Sequence, residues 1–130
     1  MAEASFGDSF TEDLIGLKVN ASQLSLGKGT KTASATAGAA TLHQPSGVIT
    51  SESLTTAQNA DYTLTITNNK VAASDIVQVT IGNGTNSAGS PVLRTVAVAA
   101  NTITVVIRNI HASAVAFNGT LKVHFSIMKV

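Results

Sequence analysis

The 130-residue chain has no cysteine and no tryptophan, only two prolines and a single tyrosine. Without cysteine there is no disulfide framework, no thiolate nucleophile and no cysteine-held zinc or iron–sulfur site. Redox chemistry therefore says nothing about compartment. Charge is also scarce: 12% of residues are Asp, Glu, Lys or Arg, about half the usual share. A net charge of +1 and a pI near 8.1 give no field that would draw in nucleic acid. No apolar run reaches the roughly 20 residues needed to span a bilayer. The opening MAEASFGDSFTEDLIGL is acidic where a secretory signal would be basic, so it is expected not to be one. A mean hydropathy of +0.27 and abundant Ala, Val, Ile and Thr point to a chain that folds, because it has apolar area to bury. So little charge does not favour an isolated monomer, and a homodimer or homotrimer is expected.

The charge that exists is unevenly placed. Glu3, Asp8, Glu12 and Asp13 give the first 13 residues −4, while the remainder sets eight basic residues against Glu52, Asp61 and Asp75 for +5. Within this acidic arm, Ser9-Phe10-Thr11-Glu12 has the form of a capping box. Phe6, Phe10 and Leu14 would share one helical face. So short a helix needs something to pack on. Phe6, Phe10, Glu12, Asp13 and Leu14 are therefore the candidate partner-contact residues. Residues 27–41, GKGTKTASATAGAAT, read as an extended linker or edge segment. The expected organisation is an arm and small-residue linker over 1–33, then one domain over 34–130.

From residue 39 the apolar period becomes two. Tyr62, Leu64 and Ile66 alternate with threonines. So do Val77, Val79 and Ile81 with Gln78 and Thr80, and Ile103, Val105 and Ile107 oppose Thr102, Thr104 and Arg108. Leu121, Val123, Phe125 and Ile127 complete the set. Each run predicts a strand with one buried and one wet face. Weaker strands are predicted at 39–43, 47–52 and 92–98, and a further one at 17–26. Asn83-Gly84 and Asn118-Gly119 read as hairpin or tight turns. Asn83 to Ser90 should form a longer loop. The fold class is all-β: an antiparallel β-sandwich, jelly-roll-like, with an extended N-terminal arm. A repeat at an offset of 41 aligns Tyr62, Leu64, Ile66 and Asn68 with Ile103, Val105, Ile107 and Asn109; two strands obeying one pattern explain it.

Candidate chemistry is thin. His43, His111 and His124 have no ligand-spaced partner, and Glu52, Asp61 and Asp75 sit near predicted strand ends. No G-x-S-x-G elbow, P-loop or dinucleotide fingerprint is present. The sequons at Asn20, Asn83 and Asn118 carry little weight without a signal peptide. No catalytic, cofactor or metal residues are expected, and no nucleic acid, membrane or small-molecule substrate.

Residues 47–130 carry the landmarks GVITSE-LTT, YTLTITN, NGTNSAG and VIRN-HA-A-FNGTLK, spread over about two thirds of the chain. This pattern resembles the head decoration, or cement, proteins of tailed phages. The resemblance implies a jelly-roll fold and a place on the outer surface of the virion head. It further implies a major capsid protein as partner, with joints between capsomers clamped by many copies. The family brings no catalytic or ligand residues. In that setting the arm at 1–15 would order on the shell or on a neighbouring copy. The alternative from another class is a receptor- or glycan-binding β-sandwich of a virion or cell surface, which calls for an aromatic platform or a calcium site.

Overall fold

The computed structural model describes residues 31–130. Eight strands account for the regular structure there: β1 Thr32–Ser34, β2 Ala39–Thr41, β3 Ser46–Thr50, β4 Asp61–Thr67, β5 Ile76–Asn83, β6 Pro91–Ala99, β7 Thr102–Asn109 and β8 Leu121–Met128. No helix occurs among the described residues. The strands form two four-stranded sheets, ordered β1-β3-β8-β5 and β2-β4-β7-β6. The fold is an all-β sandwich. Every predicted strand within the described region is present; the one proposed at 17–26 lies outside it. β1 straddles the boundary drawn between residues 33 and 34.

Alternation does the sorting. Leu64, Ile66, Ile103, Val105, Ile107, Leu121 and Val123 are fully buried, while the threonines between Tyr62 and Ile66 turn outward. In antiparallel register Tyr62 lies beside Ile107 and Ile66 beside Ile103. The sequence repeat between β4 and β7 is thus two adjacent strands of opposite direction sharing one buried face. Ile49, Phe117 and Phe125 close the core from the second sheet and its loops. Burying a side chain of this size stabilises by about 1.5–3 kcal/mol.

All connections but β6–β7 pass from one sheet to the other, a wrapping compatible with the expected jelly-roll-like sandwich. The sheets are nonetheless mixed rather than wholly antiparallel. β1 runs parallel to β3, and β2 parallel to β4. Successive strands reverse direction, so β1 and β3, and β2 and β4, each two apart in the chain, lie parallel where they pair; the first reversal runs through Ala37-Gly38, both at positive φ (51° and 75°). Thr36 and Ala39 exchange backbone hydrogen bonds of 2.9 and 3.0 Å across that turn. The segment 27–41 therefore serves, from residue 32 on, as edge strands.

The Asn-Gly pairs do something other than turn hairpins. Neither Gly84 nor Gly119 has positive φ, and the strands they follow or precede, β5 and β8, are joined to strands of the opposite sheet. Instead the two Asn-Gly-Thr segments press together. A Cβ on Gly119 would sit 2.6 Å from Thr85 Oγ1 and 2.7 Å from the Asn86 nitrogen. Glycine is required here for close approach of two backbones.

Candidate interaction surface

Each carboxylate of the described region is engaged in holding the fold together. Glu52 accepts from the Tyr62 hydroxyl at 2.7 Å and from the Gly38 N–H at 2.8 Å, so it binds β4 to the β1–β2 turn. Burial, and then the Glu52 carboxylate, push the Tyr62 phenol well above its ordinary value, because both disfavour a second negative charge there. Asp61 pairs with Arg94 and lies 3.3 Å from Arg108 Nε. Arg94 reaches it from the β-bulge between Leu93 and Thr95. The Lys129 ammonium, helped by the Ala72 N–H, holds the Asp75 carboxyl below the usual carboxylate range.

The histidines are dispersed. His43 Nδ1 accepts from the Asn69 N–H at 2.9 Å, and His111 Nδ1 accepts from the Ser113 N–H at 3.0 Å. His124 faces outward on β8, as its alternation with Val123 and Phe125 requires. Among the described residues no group of three or more His, Asp or Glu could hold a metal ion, and no helix is long and apolar enough to cross a membrane. A shallow, open depression of about 170 Å³ lies over Gln78, Thr80, His124, Phe125 and Ser126. It is smaller than the roughly 300–1,000 Å³ of typical ligand pockets. Tyr62, Phe117 and Phe125, the aromatic residues of the described region, are all buried, at 8%, 2% and 3% exposure.

Buried asparagines shape the loops that frame the two ends of the sandwich. Asn109, fully buried, donates to the carbonyls of Thr56 and Val115, and its Oδ1 accepts from the N–H groups of Ser90 and His111. Asn68, equally buried, donates to the Gln44 carbonyl and accepts from the Lys70 N–H. In both, the oxygen binds the backbone two residues on, the Asx-turn geometry. These two are the last matched pair of the 41-residue repeat, so the pattern contained them without revealing their task. Asn86 is the third: it accepts from the Asn118 N–H and donates to Ala88 O and Asn83 Oδ1.

Asn86 belongs to the clasp between the two Asn-Gly-Thr segments. The Thr85 N–H donates to Thr120 Oγ1 and the Thr120 N–H to Thr85 Oγ1, each at 2.9 Å. Ser87 N–H donates to Asn118 Oδ1 at 2.8 Å. The reciprocal pairing uses Gly-Thr twice, while the two asparagines differ, Asn83 Oδ1 accepting from Asn86 and Asn118 Oδ1 from the Ser87 N–H; the repeated Asn-Gly-Thr spelling is its trace in the sequence. The outer face of one sheet is mostly polar, with the Ser46–Ser126–Gln78 and Val48–His124–Thr80 rows running across β3, β8 and β5 and Lys122 beside them.

Comparison with protein-family models, curated proteins and solved structures finds no match to this chain. The candidate contact residues Phe6, Phe10, Glu12, Asp13 and Leu14 lie outside the described residues.

Proposed function

We propose that this chain is a structural protein of a phage virion, decorating and stabilising the capsid by cementing joints between capsomers of the major capsid protein. The observation that carries the reading, beside the resemblance of residues 47–130, is the commitment of Glu52, Asp61 and Asp75 to contacts within the fold. What faces outward on the central strands is mostly Thr, Ser and other uncharged side chains, with Lys122 on β8 and the Asp61–Arg108 pair across β4 and β7 as the charged exceptions. Such a surface suits adhesion by area, where each copy contributes a modest interface and many copies on one shell multiply the effect. Binding to the folded form also stabilises the decorating protein itself by mass action.

The acidic arm supplies the outreach in this reading, its Phe6, Phe10 and Leu14 anchoring and its Glu12 and Asp13 steering. Deletion of residues 1–15 is expected to lower capsid occupancy sharply while leaving the β-rich circular dichroism spectrum unchanged. Unchanged occupancy would remove the arm from the mechanism. A glycan array with a calcium-dependent melting test addresses the receptor-binding alternative, which the burial of Tyr62, Phe117 and Phe125 leaves without a platform among the described residues.

A further inference from the structure

The sandwich has four sheet edges among the described residues, and three are blunted. β1 and β2 are only three residues long. β6 begins at Pro91, carries a bulge at Leu93/Thr95 and places Arg94 on it. Short strands, proline, bulges and charge are the devices by which edges avoid pairing with other chains. β5 has none of them. Its eight residues, Ile76-Val77-Gln78-Val79-Thr80-Ile81-Gly82-Asn83, include no charge and no proline, and its ladder with β8 is unbroken.

We infer that β5 is a homodimer interface, pairing antiparallel with β5 of a second copy about a twofold axis at Val79. The backbone is set for this. Gly84 donates to the carbonyl of Thr120, the residue just before β8, in the register that continues the β5–β8 ladder, so by antiparallel alternation the even residues of β5 bond β8. The N–H and C=O groups of Val77, Val79 and Ile81 therefore point to the open side. An axis at Val79 sets Val79 against Val79 and Val77 against Ile81, which matches each outward group with another in hydrogen-bonded pairs.

The side chains show the same symmetry. Read from Val79 in either direction, the strand runs polar then aliphatic, so self-pairing sets Gln78 opposite Thr80 and aliphatic opposite aliphatic, with no like charges facing each other. Val77, Val79 and Ile81 turn inward yet are only half-buried. Leu93, Val96 and Val98 on β6, which packs across from β5, are half-buried too. A second copy would cover this seam.

Gly82 supplies an independent mark. It has no positive φ, and a Cβ there would meet nothing within 4 Å. Nothing inside the chain requires a glycine at this strand position. Under the twofold at Val79, residue 82 lies opposite Ile76, an outward isoleucine left 51% exposed. The missing side chain makes room for it. The inference is separate from the capsid reading, because the isolated chain should dimerise with no shell present.

Since the full chain has no cysteine, Val79→Cys introduces one thiol. Paired Cα atoms in a hydrogen-bonded antiparallel pair stand about 5.5 Å apart, inside the roughly 4.4–6.8 Å a disulfide spans. Mild oxidation should convert Val79→Cys to a covalent dimer and leave Val96→Cys, half-buried on β6, unlinked. Gln78→Glu/Thr80→Glu alters two exposed residues and sets carboxylates opposite each other; sedimentation should show dimerisation weakened about tenfold or more, with the circular dichroism spectrum retained. A wild-type chain that sediments as a monomer would overturn the inference. So would a dimer that neither cross-links at residue 79 nor responds to the double substitution, the outcome if the arm or another surface covers β5.

Discussion

Tyr62 is the only tyrosine in the chain, and its hydroxyl is held by Glu52 inside the sandwich. Its pKa is raised by folding, so the protonated phenol contributes stability that is fully present below the unfolded value of about 10 and is lost as pH climbs above it. Tyrosinate absorbance therefore reports one site, and it should rise only with unfolding at alkaline pH. Tyr62→Phe should cost about 1–2 kcal/mol at neutral pH through the lost hydrogen bond and flatten the alkaline decline in stability. Asn109 is more consequential. Asn109→Ala would remove four hydrogen bonds and leave the Val115 carbonyl and the Ser90 and His111 N–H groups without these partners, while the Thr56 carbonyl keeps the Phe117 N–H; urea unfolding should show a loss of about 3 kcal/mol. Neither role was legible beforehand: Tyr62 reads as one more inward residue of an alternating strand, and an asparagine after a strand reads as a turn former. Alternation reports which side a residue faces but not which backbone groups wait there.

At the level of elements, the strands were legible because one rule, an apolar residue at every second position, governs both their formation and their burial. β4, β7 and β8 follow it without exception at their centres. What sequence reading misplaced were the turns. Ala37 occupies a left-handed conformation (φ 51°) that alanine rarely marks, so the corner between β1 and β2 was hidden in a run of small residues, and with it the parallel edge pairings. The Asn-Gly pairs look like hairpins because positive φ and close approach call for the same residue. Substitution separates the two uses of glycine in strands and loops. Gly119→Ala must displace the Asn86 backbone and should cost about 1–3 kcal/mol. Gly82→Ala, with open space around it, should be neutral or stabilise the dissociated monomer by about 0.5 kcal/mol. Chemical denaturation of the pair at high dilution checks both signs.

In the molecule as a whole, loops at both ends of the sandwich are tied by buried asparagines, and the ionic groups of the described residues are largely engaged with one another. Asp61 pairs with Arg94 and Arg108, and Asp75 with Lys129, so the acidic groups of the described sandwich are occupied within it, and in the proposed reading contact area on the sandwich adds to the charge carried by the arm. The candidate contact residues Phe6, Phe10, Glu12, Asp13 and Leu14 were singled out by clustering of aromatic and acidic residues, a signal independent of the strand pattern. Their proposed role is contact with a partner, and binding to that partner is what tests it. The most direct measurement is an electron-microscopy map of the intact particle with this chain labelled. The account predicts density for many copies on the outer face of the head, lying over the joints between capsomers. Labelled density confined to a tail tip, or absent from the head altogether, would contradict it.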